Sequence, residues 1–184
     1  GPVIAKDFSG DISLRTSTDK DFSVRLENLV KAAQLLIKQG FEKKEEIESI
    51  FNEWQWKYYH FTYFHPHKKL KIEMHWRLHP GPGKESSFSE LWQRRRKSNL
   101  TKIPVCYLGR EDLFHFLVLH GARHGWFRLR WLIDIQQLCR QKIDWVRLNE
   151  LFKNNYDLQI LGQSLILVSQ LLDVNIVDEM RVLL

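Results

Sequence analysis

Cysteine is scarce in this 184-residue chain: Cys106 and Cys139 are far apart and lack metal-site spacing. Such usage excludes a disulfide framework and predicts free buried thiols in a reducing, cytoplasmic compartment. No apolar run approaches the roughly 20 residues that span a bilayer. The first residues also lack the basic and apolar segments of a signal peptide. We therefore expect no membrane partner.

Several functional motifs are missing as well. There is no glycine-rich phosphate loop of the Walker type and no serine nucleophile elbow, so these NTPase and hydrolase hypotheses lack support. What is present suits a globular protein, with 43% hydrophobic and 27% charged residues. The formal net charge of +6 suits a phosphate-rich ligand or nucleic acid, although many ordinary proteins carry as much.

Two stretches in the first half have strand character. Residues 19–25 begin with two acids, and the helical stripe of residues 26–39 follows, with Gly40 as its stop. The clearest alternation runs from residue 69 to residue 77. One face of that strand is apolar, and the other carries the polar side chains Lys69, Lys71, Glu73, His75 and Arg77.

The remaining patterns complete an α+β prediction. Residues 2–9 and 88–96 favour short helices, residues 54–64 and 103–108 favour strands, and the charged residues 41–52 are ambiguous, with a solvated helix as one interpretation. Four helices follow, over residues 111–124, 127–141, 145–154 and 158–172, with a short one after Asn175. We expect a mixed β-sheet core with flanking helices in residues 1–108 and an all-helical lobe in residues 109–184.

Asp19 and Asp21 form the sharpest candidate site. Strand side chains alternate, so the two acids share a face, roughly 6.5 Å apart along the backbone. Carboxylates so placed suit Mg²⁺ with substrate phosphates. The competing interpretation is an Asx-type turn or a solvated strand entry. If the two strands are neighbours, Glu73 joins the acids, beside Lys71, His75 and Arg77.

A family resemblance rests on motifs in a fixed order. These are Gly1-Pro2, Ser9-Gly10-Asp11, Leu14-Arg15, Asp19-Lys20-Asp21, Gly40-Phe41, Ile72-Glu73-Met74-His75-Trp76, Asp112-Leu113, and two helical runs, residues 119–124 and 129–135. In this order the chain resembles the uncharacterised nucleotidyltransferase family of the DNA polymerase β-like superfamily. The resemblance covers nearly the whole chain, and its specificity comes from the order of the motifs.

The resemblance implies transfer of a nucleoside monophosphate from an NTP, expected to be ATP, to an unidentified acceptor, with release of pyrophosphate. Asp19, Asp21 and Glu73 would be the catalytic acids and the ligands of Mg²⁺ or Mn²⁺, and Glu73 would help to deprotonate the acceptor. Nucleotide contacts would come from Gly1, Arg15, Lys71 and Arg77. A cleft would be lined by His75, His120, His124 and Arg130.

Two departures from the family pattern support a rival hypothesis. Lys20 stands between the acids where the family has an apolar residue, and we expect it to face the helix-covered side of the sheet. The family also begins upstream of Gly1, so we expect a first strand to be missing and this chain to be a poor enzyme by itself. The rival is a weak or inactive binding module that retains the fold.

Three other clusters have alternative interpretations. His120 and His124 share a helix face, but the glutamate of a zinc protease motif is absent, so packing or a cleft is favoured over zinc. Arg123, Arg128 and Arg130 could contact phosphate, be solvated, or pair with Asp134. The run of residues 94–97 is either a nucleic-acid contact or, as we favour, a solvated helix face. Four further residues are predicted core: Trp126, Trp131, Leu132 and Ile135.

Overall fold

The computed structural model describes residues 1–14, 19–44, 58–80, 85–152 and 155–175. These residues form an α+β fold, as predicted, in two compact units, Gly1–Glu90 and Leu91–Leu184. The predicted division into functional domains after residue 108 stays a prediction. Among the described helices, none combines the length and apolar character needed to cross a membrane.

The first unit contains a four-stranded mixed sheet in the order β1-β4-β3-β2. β1 pairs parallel with β4, and β3 pairs antiparallel with both β4 and β2. The predicted adjacency of the Asp19 strand and the Glu73 strand is confirmed. The elements of this unit are α1 (Pro2–Ser9), β1 (Asp19–Ser23), α2 (Leu29–Lys38), β2 (Glu42–Lys43), β3 (His60–His65) and β4 (Leu70–His75), and α3 (Phe88–Arg94) begins in it.

Helix α2 covers one face of this sheet. It follows a 3-10 turn over Leu26–Asn28 and ends at Gly40, whose φ of 84° suits a residue without a Cβ. The amide of Phe41 donates to the carbonyl of Leu36 at 3.1 Å and closes the helix end. The apolar layer below the helix contains Leu29, Phe41, Phe61, Tyr63 and Met74.

The predicted stripe of α2 was only partly right. Leu29 is buried, and Ala33 and Leu36 pack against the core cluster. Val30 and Ile37 are 70% and 58% exposed. The sheet covers only part of the apolar surface of α2. Residues at the edge of that surface, such as Val30 and Ile37, therefore remain exposed to solvent.

Two short strands escaped prediction. Glu42–Lys43 is a strand and not the start of a helix, while residues 45–52 of that predicted segment lie outside the described residues. The helix predicted to Arg96 ends at Arg94, and Arg96–Ser98 forms β5, paired antiparallel with β6, Val105–Tyr107. Residues 54–57 and the helix expected after Asn175 also lie outside the described residues.

The second unit is mainly helical. It contains α4 (Arg110–Arg123), α5 (Leu129–Cys139), α6 (Trp145–Leu151) and α7 (Asn155–Leu172). α4 packs against the other three helices, and α5 also packs against α7. Three of the four predicted core residues are buried, namely Trp131, Leu132 and Ile135, whereas Trp126 is half-buried.

Candidate functional site

One face of the four-stranded sheet is polar where the acids were predicted. In the parallel pairing of β1 with β4, Asp21 lies opposite Glu73 and Ser23 opposite His75. Asp19 takes the register position opposite Lys71. Neighbouring strands lie about 4.8 Å apart, and paired residues present their side chains to the same face. The fold therefore brings Asp21 and Glu73 together on this face.

The neighbouring strand β3 extends the polar face. His60 lies opposite His75, and Thr62 lies opposite Glu73. The rings of His60 and His75 are stacked, with centroids 4.9 Å apart. The turn after β3 fixes this register, because the amide of Lys69 donates to the carbonyl of His65 at 2.9 Å.

Glu73 sits between two basic side chains of its own strand. The Lys71 Nζ atom is 2.6 Å from Glu73 Oε1, and His75 Nε2 is 3.5 Å from Glu73 Oε2. These partners lower the pKa of Glu73 from 4.5 to about 2, with His75 the largest cause, Lys71 a further one, and burial acting in the opposite direction. At 3.5 Å the His75 contact is long for a hydrogen bond, so by distance the Lys71 contact is the firmer one.

The sheet face also holds a three-residue cluster with mixed donor atoms. His60, Glu73 and His75 each offer one ligand atom, and these atoms lie within 4.8 Å of one another. His75 is buried, with 8% of its surface exposed, while His60 and Glu73 are half-buried. The cluster contains a carboxylate oxygen and two imidazole nitrogens.

The oxygen donors on this face fit a hard cation. Asp21 is exposed, and Glu73 is held in its charged form by its low pKa. Mg²⁺ is usually bound by one or two carboxylates together with waters and substrate phosphates, which is the donor set that the register supplies. When a cation binds at Glu73, the ion pair with Lys71 must break, or Lys71 and the cation must bind different oxygens of the carboxylate.

A cavity of about 350 Å³ adjoins this site. Thr62, Phe64 and Lys71 line it from β3 and β4, and Lys44, which follows β2, also lines it. Its size is at the lower end of the range for small-ligand pockets. The lysines make it suitable for an anionic group. The other lining residues are Glu42 and Lys43.

The sequence profile of the uncharacterised nucleotidyltransferase family matches residues 1–173. The chain belongs to this family. The predicted family resemblance is thereby confirmed, and with it a general nucleotidyltransferase assignment. Neither a curated protein nor a solved structure matches the chain.

Three further residues were predicted to contact the nucleotide, and the structure describes two of them. Gly1 is the N-cap of α1, and its carbonyl accepts the amide of Ala5 at 3.3 Å. Arg77 follows β4 and lies 3.7 Å from Glu85 Oε1. Arg15 lies outside the described residues.

The predicted cleft histidines of the helical unit pack on an aromatic ring. The rings of His120 and His124 are 4.7 Å apart, and they lie 5.4 Å and 5.2 Å from the ring of Trp131. Arg123 contacts His120 Nδ1 at 3.2 Å. Loss of hydration lowers the pKa of His124 below its usual range, and neighbouring arginines lower it further. These contacts agree with the packing interpretation, and a cleft role for this pair and for Arg130, on α5, stays a prediction.

The arginine run is engaged within the protein, so its interpretation as a solvated helix face was wrong. Arg94 forms a two-point ion pair with Asp112, with both N–O distances 2.8 Å, and Asp112 is 2% exposed. The guanidinium groups of Arg95 and Arg96 lie 4.1 Å and 4.5 Å from the ring centres of Trp92 and Tyr107. Arg-to-ring and buried Arg-to-carboxylate contacts stabilise the local fold.

His60 is the residue of the site that sequence reasoning missed. It lies in an aromatic-rich stretch whose alternation is weak. A signal was nevertheless available: a hairpin that turns at residues 65–70 pairs residue 60 with residue 75 by counting outward from the turn.

Proposed function

We propose that this protein is a Mg²⁺-dependent nucleotidyltransferase. It transfers a nucleoside monophosphate from an NTP, with ATP the expected donor, to an acceptor not yet identified. The observation that carries the proposal is the register of β1 and β4, which sets Asp21 opposite Glu73 on a polar sheet face. Membership of a nucleotidyltransferase family supports the same reaction class.

In the proposed reaction, an acceptor oxygen, of a phosphate or of a hydroxyl that gives up its proton to water, attacks the α-phosphorus of the NTP. A new P–O bond forms, the bond to the β-phosphate oxygen breaks, and pyrophosphate leaves with that electron pair. Asp19, Asp21 and Glu73 would hold Mg²⁺ or Mn²⁺, which supplies neutralisation of the phosphate charge. A base works best when its pKa is near the working pH, so a pKa of about 2 favours Glu73 as a charged ligand over a proton acceptor.

The cavity beside the acids is the proposed position of the phosphates. Lys71 is the strongest candidate contact, because it borders the cavity and already pairs with Glu73. Arg77 and Arg15 are weaker candidates. The N-terminal end of α1, which begins after Gly1, is the kind of helix end that binds phosphate. The cleft role predicted for His75, His120, His124 and Arg130 stays a prediction.

The expected location is the cytoplasm. Both cysteines are free in the structure, which agrees with a reducing compartment. In addition, burial raises the pKa of the Cys139 thiol to about 12, so this thiol is unreactive.

Calorimetry of NTP binding in the presence of Mg²⁺ tests the proposal. We expect wild-type protein to bind ATP with Mg²⁺, and Asp21→Asn to weaken binding at least tenfold because a charged ligand is lost. Asp19→Asn should act alike. The exposed Asp173 lies at the end of α7 with φ of 52°, which asparagine also tolerates, so Asp173→Asn is the matched control and should bind normally. Intact wild-type protein that binds no NTP would contradict the proposal.

A non-catalytic binding module is the second candidate. The 2.6 Å ion pair of Lys71 with Glu73 favours it, because a lysine already neutralises the carboxylate that should bind the cation. Lys20, between the acids, also departs from the family pattern. Measurable NTP binding without release of labelled pyrophosphate across acceptor classes would support this candidate over the enzyme.

A further inference from the structure

We propose that His60, Glu73 and His75 form a binding site for a first-row transition metal ion of the Zn²⁺ class. The site lies on the polar sheet face and shares only Glu73 with the proposed Mg²⁺ ligands. It requires no nucleotide, so it goes beyond the proposed nucleotidyl transfer and does not depend on it.

The strand pairing brings the three donors together. His60 and His75 occupy opposite positions on β3 and β4, and Glu73 precedes His75 by two residues on the same face. Their ligand atoms lie within 4.8 Å of one another. Around a four-coordinate zinc with bonds near 2.0–2.2 Å, donors lie about 3.4 Å apart. Bringing the three donor atoms to metal-binding distance therefore needs side-chain movements of about 1 Å and no change of strand register.

The individual donor atoms are suitably placed. Lys71 engages Glu73 Oε1, whereas Oε2 lies on the side of His75 Nε2, 3.5 Å away. This His75 nitrogen is buried, and within the described chain it has no hydrogen bond of normal geometry, since its contact with Glu73 is long. A buried imidazole nitrogen that lacks a hydrogen bond is costly, and a metal ion would satisfy it.

Neighbouring aromatic groups hold the imidazoles in place. The Tyr59 ring lies 4.4 Å from the His60 ring and 5.6 Å from the His75 ring, measured between centroids. The two imidazoles are also stacked on each other. Both donors project from strands, which hold side chains more firmly than loops do.

The donor set determines the class of metal. Imidazole suits Zn²⁺, Cu²⁺, Fe²⁺ and Ni²⁺, whereas Mg²⁺ selects oxygen ligands. Two imidazoles and one carboxylate are three protein ligands, which leaves a position for water or another group. We therefore expect Zn²⁺ to bind more tightly than Co²⁺, and Mg²⁺ not to compete at millimolar concentration.

Titration of the full chain with Co²⁺, after removal of metals by chelation, tests this site. The expected signal is the visible absorption band of protein-bound Co²⁺, which stoichiometric Zn²⁺ should abolish. His60→Gln should weaken Co²⁺ binding at least tenfold because it removes a ligand outright. His67→Gln is the matched control, since His67 is exposed in the turn after β3 and lies outside the cluster; it should bind Co²⁺ as the wild type does.

His75→Gln removes the second imidazole ligand and should also weaken Co²⁺ binding. Circular dichroism confirms that each variant is folded. Folded wild-type protein without the Co²⁺ band would overturn the proposal, as would equal weakening by His60→Gln and His67→Gln. Asp21→Asn separates this site from the proposed function, because it should weaken Mg²⁺-dependent ATP binding at least tenfold and keep the Co²⁺ band. Loss of the band in Asp21→Asn would also count against a site confined to these three residues.

Discussion

Glu73 is the residue whose charge state is most strongly fixed by its surroundings. Its pKa is lowered from 4.5 to about 2, so it favours the folded state above pH 4.5 and loses that contribution as pH falls through about 2. We expect the contribution to be about 1–2 kcal/mol, because its partial exposure screens the full effect. The free energy of unfolding in urea should therefore be lower for Glu73→Gln than for the wild type at pH 6. The two values should approach each other near pH 2.

The control for this pH dependence is Glu27→Gln. Glu27 is 70% exposed in its 3.7 Å contact with Arg25, and exposed pairs contribute little. The pKa shift would be contradicted if the free energies of unfolding of the wild type and Glu73→Gln differed by the same amount from pH 6 to pH 2. In that case Glu73 would act through its shape and hydrogen bonds alone.

The single residues of the site were predictable to different degrees. Alternation alone placed Glu73 and His75 on one face of their strand, because period-two patterns follow directly from strand geometry. The partner of Arg94 could not be predicted, since Asp112 lies 18 residues away and only the tertiary fold brings the two together. His60 required the hairpin register.

The turn between α4 and α5 is built around a glycine. A Cβ added to Gly121 would lie 2.2 Å from the Trp126 ring, and the Trp126 amide donates to the Gly121 carbonyl at 3.0 Å. We expect Gly121→Ala to destabilise the helical unit by about 1–3 kcal/mol through this clash. Thermal unfolding should show that Trp126→Leu relieves the effect, so that the double variant is more stable than the sum of the single changes predicts.

Gly125→Ala is the comparison for this turn. A Cβ at Gly125 meets no atom within 4 Å, but its φ of 60° is strained for alanine and costs about 1 kcal/mol. Trp126→Leu should leave that loss unchanged. If the Gly121 and Gly125 variants respond equally to Trp126→Leu, the ring contact is not the cause of the Gly121 defect.

Among the elements, the long periodic ones were predicted and the very short ones were not. β4 and α2 each repeat their pattern over two or more turns or alternations, and both were found close to their predicted bounds. β2 has two residues and β5 has three, which is too few for any period to be recognised. Both form because a neighbouring strand offers hydrogen bonds, a tertiary cause that local sequence does not record.

At the scale of the whole molecule, the net charge of +6 favours some attraction to nucleic acid. The arginine run contributes less than its sequence implies, because Arg94 is paired with Asp112 and two further arginines lie on aromatic rings. We expect weak binding, with dissociation constants of roughly 10⁻⁴–10⁻⁶ M at physiological salt, that declines steeply as salt rises. Fluorescence anisotropy with labelled oligonucleotides across a salt series measures this.

The contrary result is a tight complex that persists at physiological salt and is lost when residues 94–96 are replaced. Lys97→Ala is the matched control, since Lys97 is exposed and lies in the same run. Folding of each variant must be verified first, because removing Arg94 leaves the buried Asp112 without its ion-pair partner.

The pairing of β1 with β4 has a consequence for how the chain avoids misfolding. Sliding β1 by one residue would set Lys20 beside Glu73, an attractive pair, in place of the like-charged Asp21. The same slide would turn Asp21 into the apolar layer with Leu29 and Met74, where a carboxylate is costly. In the observed register Lys20 takes this position instead, and the half-buried lysine is tolerated because its long side chain can extend its charge to solvent. The apolar layer, and not the charges, thus selects the alignment that brings the acids together.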